Sequence, residues 1–203
     1  YRKGSGVQSG MDPSKVNVPD VFPDTPEVRS DICDYFFEIQ RFDQQIGEML
    51  KLIEQAGQRD NTLIVITSDN GMPFPRGKTT LYDAGVRMPL AIRWGKGVQA
   101  PGRVVDDFVL HTDFAPTFLE AAGVPVPEEM TGRSLMPVLL SGRSGRIDPA
   151  RTSVLTGRER HVYSYPSRAL RTKDYLYIRN FAPEKWPTGE IDGHNPEYDF
   201  SSQ

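Results

Sequence analysis

The sequence predicts an α/β fold that gives way, toward its C-terminal end, to a smaller antiparallel α+β part. Three observations carry this prediction. Short apolar runs alternate with helical patterns through the middle of the chain. One amphipathic segment near the start is far longer than any strand. After residue 150 the texture changes to brief β-rich runs joined by turn residues.

The elements follow in order. Residues 1–24 read as an extended lead-in, because Pro13, Pro19 and Pro23 interrupt regular structure. Residues 25–57 read as one long helix. Thr25 suits its N-cap, Pro26 its first position and Gly57 its stop. Its apolar stripe runs through Val28, Ile32, Tyr35, Phe36, Ile39, Phe42, Ile46, Met49, Leu50 and Ile53, and such a stripe packs against a sheet. "TLIVITS", from Thr62, has the unbroken hydrophobicity of a strand buried on both faces. "MPLAIRW" (88–94) and "RVVDDFVL" (103–110) are the next two strand candidates. "DFAPTFLEAAG" and "GRSLMPVLLSG" are short helices. "TSVLTG", "HVYSY", "SRALRT" and "YLYIRN" are then short strands, with Lys173-Asp174 in a hairpin turn. The tail "GEIDGHNPEYDFSSQ" has no periodicity and is expected to fray. The divisions are therefore 1–24, a core portion over 25–145 and a smaller subdomain over 146–203.

Composition excludes several classes of function. The chain has 203 residues, a formal net charge of −3 and 25% charged residues, so no basic excess points to nucleic acid. No apolar run is long enough for a membrane helix. A single cysteine, Cys33, rules out an internal disulfide framework and a cysteine-rich zinc site. The polar, glycine-rich start lacks the apolar centre of a signal peptide, and no Asn-x-Ser/Thr sequon occurs.

The chemistry concentrates where "TLIVITS" ends in Asp69-Asn70-Gly71. Ligands of open α/β sheets bind beyond the carboxyl ends of strands. A carboxylate and an amide oxygen are hard donors that suit Ca²⁺ or Mg²⁺. Two adjacent ligands fill only part of the ion's sphere, and a plain Asp-Asn-Gly turn is the competing reading. Lys78 follows in a loop stiffened by Pro73, Pro75 and Gly77. A lysine held there can share an oxyanion with a metal; a solvated loop charge is its alternative. "GRERH" (157–161) gathers Arg158, Glu159, Arg160 and His161 before a strand, either as a charged surface loop or as a binding cluster. His111 reads as a strand-end residue, Arg87 and Arg93 as salt-bridge formers, and His194 carries no assignment.

Several segments together resemble the later half of type I sulfatases, within the alkaline phosphatase superfamily. They are "DNTLIVITSDNG", the lysine after it, "LYDAGVRMPLAIRW", "DFVLHTDFAPTFLEAAGV" and "GRSLMPVLL". The resemblance covers residues 25–182, and "DNGMPFPRGKTTLYDAG" and "SYPSRALRTKDYLYIRNF" are most similar to the N-sulfoglucosamine sulfohydrolase (sulfamidase) branch. It implies the C-terminal part of a sulfatase-like sandwich. It implies Asp69 and Asn70 as Ca²⁺ ligands and Lys78 as a sulfate contact. Arg158, Glu159 and His161 would hold a sulfated glycan such as the N-sulfoglucosamine of heparan. The alternatives are an O-sulfated sugar, an aryl sulfate, a phosphoester, or a non-catalytic binding module.

The family's nucleophile is a formylglycine made within C/S-x-P/A-x-R, and the residues here depart from that pattern. Cys33 is followed by "DYFFE" inside the long helix. The spaced match Ser164-Tyr165-Pro166-Ser167-Arg168 comes after the metal pair rather than before it, and reads as a bent strand. The expectation is a sulfatase portion trimmed at both ends, inactive alone. Its expected compartment is the bacterial periplasm or exterior, or the lysosome if the source is an animal.

Overall fold

The computed structural model describes residues 2–95, 97–161 and 164–185. The irregular tail, His194 and part of "HVYSY" lie outside the described residues. Along the chain run α1 (Ser5–Gln8), α2 (Pro26–Gln55), β1 (Ile64–Thr67), α3 (Asp83–Val86), β2 (Leu90–Arg93), α4 (Phe114–Ala121), α5 (Met136–Leu140), β3 (Ser153–Arg160), β4 (Ser164–Thr172) and β5 (Leu176–Asn180). Short 3-10 turns cover Pro13–Lys15 and His111–Asp113.

The long helix forms as its caps dictate. The Thr25 hydroxyl accepts the Val28 amide at 3.3 Å, and Pro26 occupies the first position, where no intrahelical amide is needed. Gly57, at φ 66°, takes the left-handed turn after the last residues. Its partner differs from the expected sheet. Ile32 and Cys33 are buried with Val16, and Met11, Val18, Phe22, Val28 and Phe74 pack around them. Most of this cover comes from the lead-in, which is therefore folded rather than extended. Asp34, fully buried, explains why: Oδ1 accepts the Gly6 amide and Oδ2 the Gly4 amide, both at 2.7 Å. A buried carboxylate is tolerated when its oxygens meet fixed donors. The later part of the stripe stays open, with Phe36, Ile39, Phe42, Met49 and Leu52 exposed.

The central strands are shorter than their apolar runs. β1 pairs antiparallel with β2, from Ile64 opposite Arg93 to Thr67 opposite Leu90, and β1 is half-buried rather than covered on both faces. Residues 103–110 form no strand; only an isolated parallel bridge joins Val105 to Gly145. Val104 there is 71% exposed, and no strand among the described residues pairs along the run. Instead Asp107 accepts the Ile147 and Asp148 amides, a side chain taking the place of a ladder. Leu135, Met136 and Leu139 form a second core with Ile92, Trp94, Val98, Val109, Phe114 and Ala121, seating α5 on β2 and α4.

β3, β4 and β5 form an antiparallel sheet in the region expected after residue 150, with three strands rather than four short ones, because β4 runs unbroken from the end of "HVYSY" through "SRALRT". The hairpin at Lys173-Asp174 closes with the Thr172 amide donating to the Tyr175 carbonyl at 2.9 Å. The sheet is tied to the α4–α5 region through Arg151, whose guanidinium meets the fully buried Asp113 at 2.5 Å. Asp113 also accepts the amides of Leu110 and Arg133, so the buried charge is satisfied on several sides.

Candidate active site

Three buried glycines build the site. At the tip of β1 the Gly71 amide donates to the Gly85 carbonyl at 3.1 Å. A Cβ on Gly71 would lie 1.8 Å from the Ala84 carbonyl oxygen, so only glycine lets the strand tip reach α3. Gly77 and Gly85 are packed as closely: a Cβ on Gly85 would meet the Gly77 carbonyl at 2.5 Å. Between them the proline-rich loop folds back, and the Lys78 amide donates to Met72 O at 2.8 Å. Lys78 is thereby fixed to a residue two positions beyond Asn70.

The loop also holds strained backbone. Arg76 and Thr79 have φ of 61° and 71°, the left-handed region that a β-branched residue rarely adopts. Such strain persists only when surrounding contacts hold it. Those contacts are visible. The Thr80 hydroxyl donates to Arg76 O and Gly77 O, both at 2.9 Å, and Arg158 from β3 donates to the Thr79 carbonyl.

Asp69 and Asn70 sit at the surface of this hub. Asp69 Oδ1 accepts the Asn70 amide at 2.9 Å, and Asn70 Nδ2 donates to Gly71 O at 3.1 Å. The second Asp69 oxygen and the Asn70 amide oxygen have no hydrogen-bond partner among the described residues. A carboxylate and an amide oxygen left open fit a hard cation in kind. They do not fill its shell, since no group of three or more His, Cys, Asp or Glu side chains gathers around a common point among the described residues. Tyr35 of α2 lies beside the pair: burial, then the Asp69 carboxylate, raises its phenol above the ordinary value. Its ring also meets Phe74 edge-on, at 6.1 Å between centroids.

The "GRERH" cluster reaches the same loop. β3 bulges between Arg158 and Arg160, which re-aims Glu159 out of the ladder. Arg158 lies 4.7 Å over the Tyr165 ring, and its burial lowers the guanidinium from its ordinary value. Glu159 pairs with Arg168 across the sheet, so its carboxylate is already engaged. His161 stays solvent-exposed overall. Even so, partial burial of the ring, followed by the charges of Lys78 and Arg158, pushes its pKa below the ordinary value. The structure thus gathers Lys78, Arg158 and His161 around the loop that follows Asp69-Asn70.

His111 opens a 3-10 turn and packs on Phe114 at 5.4 Å, in a structural position. Arg93 approaches Asp60 at 3.7 Å, whereas Arg87 forms no ion pair among the described residues. Ser164 begins β4 and Cys33 is buried in α2, so neither departs from the structural role read for it. Tyr35, Asp83 and Arg171 escaped sequence reasoning. Asp83 and Arg171 meet across 88 positions, a separation that no local spacing signals.

The His161 shift has a direct consequence for stability. Between the lowered folded pKa and the unfolded value of about 6.5, the unfolded chain binds a proton that the folded chain does not. Stability therefore rises with pH across that window, and the penalty vanishes above it. Thermal unfolding of the native chain should lose more stability than His161→Gln as pH falls from about 7.5 to about 5. A pH-independent difference between the two would refute the assignment.

Comparison with known proteins places these features. Residues 12–124, more than half of the chain, match the Sulfatase family, and residues 76–187 match the family described as N-sulphoglucosamine sulphohydrolase, C-terminal. The chain is 32% identical to human N-sulphoglucosamine sulphohydrolase, over 83% of the chain and 35% of that protein. It is 36% identical to an ulvan-active sulfatase of Formosa agariphila, over 72% of the chain and 28% of that protein. It is 35% identical to an N-acetylglucosamine-6-O-sulfatase of Bacteroides thetaiotaomicron, over 71% of the chain and 27% of that protein. A solved structure described as a complex with its substrate D-glucosamine-2-N,6-O-disulfate superimposes with a TM-score of 0.61 at 31% identity, covering 75% of this chain and 30% of that one. The chain spans 27–35% of the length of these curated relatives. The α/β class and the small antiparallel sheet are those of this group, and the chain belongs to the sulfatase family, with the C-terminal domain of its N-sulphoglucosamine sulphohydrolases.

Proposed function

We propose that this chain supplies the later part of a sulfatase site that releases sulfate from a sulfated glucosamine, with N-sulfoglucosamine preferred. One observation carries the reading: Lys78, Arg158 and His161 converge on the loop that follows Asp69-Asn70. A cation on a stiff loop, beside a pair of open oxygen donors, suits a tetrahedral oxyanion. Asp69 and Asn70 would hold Ca²⁺, which supplies Lewis-acid polarisation of the sulfate when bound. Lys78 grips a second sulfate oxygen with its ammonium. Arg158, which stays charged although its burial disfavours the charge, and His161, kept neutral near pH 7, face the sugar as donor and donor–acceptor. Glu159 orients Arg168 in this arrangement and reaches sugar hydroxyls only by leaving that pair.

The attacking group must come from outside these residues, since none of them carries the formylglycine motif with fitting flanks. The 203-residue chain alone should therefore release no sulfate. A second reading, an O-sulfated glucosamine substrate, is favoured by the 6-O-sulfatase among the relatives. A non-catalytic module keeping the same fold would lack the nucleophile in its complete reading frame. The bacterial periplasm or exterior fits the bacterial relatives, and the lysosome would fit an animal source. No described helix is long and apolar enough to cross a membrane.

The decisive test is kcat/KM on N-sulfoglucosamine and on its 6-O-sulfated counterpart, with the complete enzyme and with its Glu159→Gln and His161→Ala variants. The N-sulfated sugar should be preferred, and the variants should shift the ratio. Equal rates on both sugars, unchanged by the substitutions, would remove the substrate assignment and the pocket role together.

A further inference from the structure

The small antiparallel sheet meets the loop hub through arginines. Arg158 donates to the Thr79 carbonyl, and Arg171 of β4 reaches Asp83 of α3, Nη2 to Oδ2, at 3.0 Å. Asp83 opens the short helix whose Gly85 carbonyl receives the Gly71 amide. Arg171 therefore touches the same four-residue element that fixes the tip of β1. The arginine is also held from its own strand, with Nη1 donating to Thr172 O at 2.9 Å.

We propose that Arg171 and Asp83 are positioning residues: their ion pair sets the sheet against α3 so that the end of β3, with Arg158 and His161, faces Lys78. This rests on the reading of Lys78 and His161 as substrate-side residues, but its geometry does not depend on turnover. The side chains of Arg171 and Asp83 are 26% and 43% exposed, so the pair is too solvated to matter much for global stability. Its contribution is orientational. A guanidinium held by both a carbonyl and a carboxylate allows little sliding of one element on the other. Arg151 on Asp113 anchors the start of β3 elsewhere, and Arg158 acts at its far end. The Arg171 contact lies on the neighbouring strand, where Arg171 is paired with Val154 of β3. Loss of the pair leaves the sheet attached and free to rotate about the remaining contacts.

The test is the titration of the His161 imidazole by NMR in the 203-residue chain, with the resonance assigned through His161→Gln. Asp83→Asn is the discriminating variant. Removing a carboxylate lowers a nearby histidine pKa by direct charge, whereas separating His161 from Lys78 raises it. We expect Asp83→Asn to move the His161 titration upward toward about 6.5. The exchange Asp83→Arg with Arg171→Asp should return it to the native position. Arg171→Lys, which keeps the charge without the fork, covers the case in which a larger change unfolds the chain, and should give a smaller upward shift. A His161 titration that stays in place or falls in folded Asp83→Asn and Arg171→Lys would overturn the proposal. Failure of the substrate assignment would leave this titration unaffected, because no substrate enters it.

Discussion

In the complete enzyme, Asp69→Ala or Asn70→Ala should remove most sulfate release, and Lys78→Ala should lower kcat about 10²–10³-fold, roughly 2.7–4 kcal/mol. The order follows from what each side chain is asked to do. Asp69 and Asn70 present the open oxygens at the tip of β1, and if they hold the ion as proposed, loss of either would release it. In the proposed site Lys78 would act as a single donor to developing charge, and its backbone is held in place through its own amide on Met72 and the packed Gly77. Steady-state kinetics with bound calcium measured in parallel separates the two effects. The Asp69 and Asn70 variants should lose metal together with turnover, whereas Lys78→Ala should keep metal and lose turnover. Full metal content with full activity in Asp69→Ala would refute its assignment as a ligand. The 203-residue chain alone should hold Ca²⁺ weakly, since two side chains leave most of its six to eight positions to water. Tight stoichiometric binding by calorimetry, lost in Asp69→Ala, would show a more complete site.

Legibility followed the range of the interactions. The long helix was readable because its signals are local: a Thr cap, a proline at the first position, a glycine stop and an apolar period. The β4–β5 hairpin was readable for the same reason, since alternation and a turn dipeptide define a hairpin within a dozen or so residues, although β4 is one strand where two were read. Burial was not. The apolar stripe of α2 announces a partner without naming it, and the partner among the described residues is largely the lead-in. That docking depends on Asp34 meeting two amides some thirty positions away, and on Gly6 lying against the Cys33 carbonyl. "RVVDDFVL" has strand composition but no neighbour among the described residues to complete a ladder, and composition cannot supply one. The strand-tip donors and the loop lysine were visible as residue types in a plausible order. Their convergence with Arg158 and His161 is tertiary: no local spacing signals it, and it was expected only through the resemblance.

Gly71→Ala should destabilise the fold sharply, while Gly47→Ala should stabilise it. The chemical change is the same and the surroundings decide the sign. A Cβ at Gly71 would sit 1.8 Å from Ala84 O and 2.9 Å from the Gly85 Cα, all backbone, so no side-chain rotation can relieve it. Either β1 or α3 must move, and the 3.1 Å bond from the Gly71 amide to Gly85 O goes with the movement. Overpacking of this kind costs about 1–3 kcal/mol, and rigid backbone places this case at or above the upper end. Gly47 lies inside α2, where a Cβ meets nothing within 4 Å. There alanine removes backbone freedom from the unfolded chain and gains about 0.4–1 kcal/mol. Urea unfolding of both variants reads the difference directly, with the midpoint falling for Gly71→Ala and rising for Gly47→Ala. The displacement at Gly71 also moves the adjoining Asp69-Asn70 tip relative to Lys78, so turnover in the complete enzyme should fall with stability. A Gly71→Ala protein of native midpoint and native activity would mean that the close approach of β1 to α3 does not build the site.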